Sequence, residues 1–138
     1  MSESPVQSLL RAVDALDVDG AMSLVTQEIR FMTADGRSAE GRDATRDLLA
    51  EFCGALRSAS HRITAEWTHD RVWIAEVQAT YVLQDWMRMS NLRRAFFLVQ
   101  TADGISELRV YGAHERPLTE HRTGEEGMWI RDHWIPPL

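Results

Sequence analysis

His61, Tyr81, Asp85 and His114 are the residues of this 138-residue sequence whose types and spacing suit proton-transfer chemistry. Each falls on the phase of a period-two alternation that also carries Trp67, so strand parity places all five on one face of a sheet. Apolar walls with a few titratable groups are the composition of a small-molecule pocket. A histidine beside a carboxylate or a phenol can act as general base or acid, because its unperturbed pKa of about 6.5 lies near neutral pH. In that arrangement His61 and Asp85 shuttle protons while Tyr81 or His114 holds a substrate oxygen. Trp67, Trp86, His114 and Arg94 are the expected ligand contacts, with Met87 and Met89 as an adaptable apolar rim. A plainer alternative stands beside each assignment. His61 and His114 can be strand-end histidines bonded to backbone, Asp85 can begin a turn at Asp85-Trp86, and the Arg93-Arg94 pair can be solvated or ion-paired.

Other chemistries are closed or weakly supplied. All 15 basic residues are arginines, which removes Schiff-base catalysis and a phosphate-loop lysine. None of the five histidines has metal-ligand spacing, so no metal or other cofactor is expected. Cys53, the single cysteine, excludes an internal disulfide and reads as a small core residue beside Phe52. A net charge of −6 with scattered arginines lacks the clustered basic face of a nucleic-acid binder. The longest apolar run, Ala95 to Val99, is far short of the roughly 20 residues of a membrane-spanning helix. The first residues carry neither the basic start nor the apolar centre of a signal peptide, so a reducing cytoplasm is the expected location.

The elements that must position these residues follow from periodicity. Ser4-Pro5-Val6-Gln7 reads as a capping box, and Val6, Leu9, Leu10, Val13 and Leu16 then form one helical stripe. A short second helix covers Ala21 to Val25, capped by Asp17 or Asp19. Ile29 and Phe31 mark a first strand, ending before the turn at Ala34-Asp35-Gly36. After Asp43, Leu48, Leu49, Phe52 and Leu56 share a third helical face, which Arg57 to Ser60 ends. From His61 the period is two. His61, Ile63, Ala65 and Trp67 share one face, His69-Asp70-Arg71 turns the chain, and the next strand points Trp73 through Asp85 inward at every second residue. Leu92 to Thr101 is apolar on both faces, as in a covered central strand. Ala102-Asp103-Gly104 signals a hairpin, and Leu108, Val110, Gly112 and His114 alternate in the last strand.

Helix, short helix, strand, a Glu40-Gly41-Arg42-Asp43-Ala44 entry to a third helix, then long strands with an Asp103-Gly104 hairpin: over residues 6 to 115 this order resembles the nuclear transport factor two-like superfamily, and within it SnoaL-like domains. The resemblance implies an α+β fold, a cone-shaped curved mixed sheet with three N-terminal helices on its concave face. It also implies a pocket between helices and sheet, frequent homodimers, and relatives that include isomerases, polyketide cyclases, dehydratases, epoxide hydrolases and non-catalytic binders. Where ketosteroid isomerase-like members place a carboxylate base, this chain has Phe31-Met32, and the regions of their oxyanion pair offer Ala12 and Phe96. The arginine-flanked acid pair of epoxide hydrolase-like members is not visible. A histidine opening the second strand, here His61, resembles the pattern of many SnoaL-like and scytalone dehydratase-like sequences.

Two functions are therefore expected. One is a cofactor-independent cyclase, isomerase or dehydratase acting on a hydrophobic oxygenated molecule; the other is a binding or accessory module holding such a molecule without turnover. The domain is expected over 1–118. The polar tail at 119–138 carries Trp129 and Trp134, and burying each is worth about 2 to 3 kcal/mol, so the tail is expected to dock on the domain or on a partner subunit. The two-faced strand at Leu92 to Thr101 demands cover on both sides, which leads to an expected homodimer with the tail near its interface.

Overall fold

Ser4 starts the first helix as its type suggests: its hydroxyl accepts from the Gln7 backbone N–H at 3.1 Å, and Pro5 occupies the first helical position. In the computed structural model, which describes residues 3–112, α1 runs Pro5–Asp14 and buries Val6, Leu9, Leu10 and Val13. Ten residues make a marginal helix by propensity alone. Four buried aliphatic side chains, at about 1.5–3 kcal/mol each, hold it against the sheet instead. α2 (Val18–Met22) is capped by Asp17, which accepts from Gly20 N–H. His114 and the 119–138 tail, with the docking expected of it, lie outside the described residues.

Six strands form one sheet in the order β2-β1-β6-β5-β4-β3: β1 (Val25–Met32), β2 (Ser38–Glu40), β3 (Leu56–His69), β4 (Val72–Leu83), β5 (Arg88–Thr101) and β6 (Gly104–Gly112). β1 and β6 pair in parallel and every other pair is antiparallel, so the sheet is mixed. α3 (Arg42–Gly54) packs on β1 and β2, while α1 lies across β3, β4 and β5 on the same face. Between them is the core, built on Ala75, Val77, Ala79, Tyr81 and Leu83 of β4 and on Leu92, Phe96 and Leu98 of β5. The fold is the curved α+β cone that the element order predicted.

Three local expectations are corrected. β3 begins at Leu56 rather than His61, and the Arg57 to Ser60 stretch is strand and not helix end. A register shift between Leu56 and Ser58 leaves the buried Leu56 and Ala59 three residues apart, which imitates helical spacing. A second shift between Ile63 and Ala65 reverses the alternation, so Trp67 pairs with Ile74 on the open face and is 55% exposed. Glu66 takes the helix-covered side, where it accepts from the Ser4 hydroxyl at 2.7 Å. Asp85 does not continue β4 inward. It lies in the exposed β4–β5 turn, accepting from Met87 N–H at 3.0 Å, with Trp86 at φ +72°. The short β2 had no signal of its own, and β5 starts four residues before Leu92.

Candidate functional site

His61 is the centre of a three-residue line inside the cone. Its side chain is fully buried, with Nδ1 2.6 Å from Asp14 Oδ1 and Nε2 2.8 Å from the Tyr81 hydroxyl oxygen. The His61 backbone N–H donates to Asp14 Oδ2 at 3.2 Å, so one carboxylate fixes both the strand and the ring. An ionised Asp14 can only accept, which makes Nδ1–H the donor and, in the neutral imidazole, leaves Nε2 to accept the Tyr81 O–H. Three elements position the line: Asp14 is the last residue of α1, His61 sits mid-β3, and Tyr81 lies on β4.

Aromatic rings wall the line. Phe52 meets Tyr81 edge to face at 5.2 Å between centroids, and Phe96 meets His61 the same way at 6.3 Å. Tyr81 is 1% exposed, and this burial pushes its phenol above the ordinary range; the Arg94 guanidinium opposes the shift, while Asp14 and Cys53 add to it. Burial also raises the Cys53 thiol, as befits a core residue. Arg94 is itself buried on the helix-covered face, in the cross-strand row Ile63, Val77, Arg94, Gly112. Its Nη1 donates to Arg93 O at 3.0 Å. The seat depends on Gly112, since a Cβ there would lie 2.6 Å from Nη1 and 2.7 Å from Cδ of Arg94.

Of the residues expected to form the site, His61, Tyr81 and Arg94 share the interior. Trp67 faces the open side of the sheet, and Asp85 and Trp86 belong to the exposed β4–β5 turn, where Arg57 stacks on the Trp86 ring at 4.0 Å. The acid beside His61 is therefore Asp14, 47 residues away in the chain, and not Asp85. A signal existed: Asp14 stands four residues after Leu10 and eight after Val6, on the extension of the buried stripe of α1. Next to the line, a cavity of about 20 Å³ is bounded by residues of all three helices, including Leu9, Val13, Met22 and Leu49, and by Phe96. That is room for about one water-sized sphere. Among the described residues no group of three His, Cys, Asp or Glu is placed to hold a metal ion, and no helix is long and apolar enough to cross a membrane.

The family profile of the SnoaL-like domain matches residues 6–126. No curated protein matches the chain. Among solved structures, a ketosteroid isomerase-like fold protein from Catenulispora acidiphila DSM 44928, in complex with trimethylamine, is similar with a TM-score of 0.73 at 13% identity, covering 82% of this chain and 88% of that one. An epoxide hydrolase of the LEH-like kind from M. tuberculosis gives 0.69 at 15% identity, covering 79% and 80%. SalBIII, an epoxide hydrolase/cyclase-like enzyme of pyran ring formation in salinomycin, gives 0.69 at 16%, covering 79% and 88%. At such identities the likeness is one of fold.

Proposed function

The chain belongs to the SnoaL-like domain family, and from that premise we propose that it binds a hydrophobic, oxygenated small molecule in the cone and performs cofactor-independent acid–base chemistry on it, of the cyclase, isomerase or dehydratase kind. The observation that carries the reading is the His61 imidazole held at both nitrogens, by Asp14 at 2.6 Å and Tyr81 at 2.8 Å. In neutral His61, Nε2 engages the one hydrogen of the Tyr81 hydroxyl. In the imidazolium both ring N–H groups donate, and the Tyr81 O–H is released to point at a substrate oxygen. A proton then passes from Nε2 to the phenol oxygen while the phenol proton goes to the substrate, leaving neutral His61; the reverse sequence removes a proton. Asp14 keeps the ring in register for both directions, and the buried Arg94 cation favours negative charge developing at Tyr81 or at a bound oxygen.

The experiment is a product search after incubation with the molecule that native mass spectrometry finds in the purified protein. Loss of product in His61→Ala supports the base; unchanged turnover overturns it. The second reading, a binding module without chemistry, is favoured by one feature: the cavity beside the line is bounded by Thr45 and apolar side chains, and neither His61 nor Tyr81 is among them. A molecule retained unchanged by both wild type and His61→Ala decides for that reading.

The same proposal includes a homodimer formed through the open face of the sheet. Trp67, Ile74 and Phe97 form one cross-strand row there, with Trp67 55% and Ile74 40% exposed and Arg109 stacked on Phe97 at 4.9 Å. A reducing cytoplasmic setting also belongs to it, supported by the single, buried thiol of Cys53.

A further inference from the structure

Thr45 lies on the buried face of α3, four residues before Leu49, and is 5% exposed. Its backbone N–H donates to Gly41 O at 3.1 Å, but its hydroxyl has no hydrogen-bond partner among the described residues. Helical threonines often return the hydroxyl to the carbonyl four residues back, so a buried one left without a bond is an unmet cost. Thr45 also lines the cavity bounded by Leu9, Val13, Met22, Leu49 and Phe96, where, among the described residues, every other lining side chain is apolar. A lone water is a poor occupant, because a buried water needs two to four polar partners.

We propose that this cavity is a ligand subsite in which Thr45 Oγ1 anchors the single hydrogen-bonding oxygen of a small, neutral, aliphatic molecule. The inference rests on the reading that the cone binds a small molecule and is independent of whether His61 turns it over. The geometry sets the ligand's chemistry: one oxygen at Thr45, an apolar body among Leu9, Val13, Met22 and Leu49, and its far end against Phe96, whose ring is the wall shared with His61. A charged molecule does not fit, since among the described residues no other polar side chain lines the cavity and an uncompensated charge would be stranded there. A molecule larger than the resting 20 Å³ requires the lining to give, and Met22, unbranched and adaptable, is the side chain placed to do so.

The test uses two ring molecules of nearly equal size, tetrahydrofuran with an oxygen and cyclopentane without one, titrated into the full chain carrying labelled methyl groups. Tetrahydrofuran should shift the Leu9, Val13 and Leu49 methyl signals, with an affinity for wild type roughly tenfold above its affinity for Thr45→Val, the worth of one hydrogen bond to a buried hydroxyl. Thr45→Val, nearly the same shape without the hydroxyl, should leave the affinity for cyclopentane unchanged. It should also raise the thermal midpoint by about 3 °C, because an unmet polar group has been removed. A tetrahydrofuran affinity that is unchanged in Thr45→Val overturns Thr45 as anchor while leaving the cone's binding role intact. Silence of the lining methyls toward both rings, or a midpoint lowered by Thr45→Val, overturns the subsite. None of these readouts involves His61, so the acid–base reading stands or falls separately.

Discussion

His61 engages both ring nitrogens inside the fold, and its two partners do different work. In the proposed acid–base cycle Asp14 fixes the tautomer and Tyr81 carries the proton outward, so Asp14→Asn, which keeps the shape but can present an N–H to Nδ1, should lower turnover by about 10²–10⁴-fold. The nitrogen-15 spectrum of His61 should report the change of tautomer directly; an unaltered spectrum would separate Asp14 from the ring. Truncation to His61→Ala strands the Tyr81 hydroxyl and the Asp14 carboxylate together, at a cost of about 2–4 kcal/mol in urea unfolding. Tyr81 supplies a pH prediction. Burial raises its folded-state pKa, so the folded chain keeps a proton that the unfolded chain releases at about pH 10. Stability is therefore full below that pH and falls as pH rises beyond it. In Tyr111→Phe, which leaves Tyr81 as the one phenol of a two-tyrosine chain, phenolate absorbance should develop only as far-ultraviolet dichroism is lost. Phenolate formed in the folded protein would refute it.

At the scale of elements, bulges and glycines aim the side chains. The shift between Ile63 and Ala65 keeps His61 and Ile63 facing the helices while turning Trp67 to the open face. The β5–β6 hairpin closes against the start of β1: Gly104 has φ +133°, and a Cβ there would sit 2.8 Å from Leu24 O. Ile105 N–H donates to that same carbonyl at 2.8 Å, so the backbone there has no room to retreat. Gly104→Ala should cost about 2 kcal/mol, more than the 0.4–1 kcal/mol that alanine gains at a compatible position. A denaturation midpoint equal to wild type would count against this account of the hairpin.

At the scale of the whole molecule, the proposed homodimer rests on the open face of the sheet. Trp67, Ile74 and Phe97 in one row give an apolar stripe on a face that α1 and α3 do not cover. A two-fold pairing of such faces buries the row against its own copy. Sedimentation at micromolar concentration should give twice the chain mass of 15.8 kDa. Ile74→Asp, at a position already 40% exposed, should return the chain to a monomer without unfolding it. A wild-type monomer would refute the pairing, as would an Ile74→Asp dimer.

Local sequence determined whatever depends on near neighbours. The Ser4 cap, the apolar stripe of α1, the turn at Asp70 and the alternation of Ala75 to Leu83 each follow from residues within one turn or one strand, and each is where the sequence puts it. The same logic identified His61 and Tyr81 as inward-facing, because no register shift intervenes between His61 and Ile63 on β3, and the shift between Ala79 and Tyr81 puts its extra residue on β5, leaving the inward alternation of β4 intact up to Tyr81. Parity fails beyond the shift between Ile63 and Ala65, and that is why Trp67 points the other way. Only the tertiary structure chose the acid for His61, because packing α1 across β3 brings together residues 47 apart, whereas Asp85, nearer in sequence, is consumed by its own turn. Thr45 was likewise hidden: a hydroxyl on an amphipathic helix is unremarkable until the packing around it leaves no partner within reach.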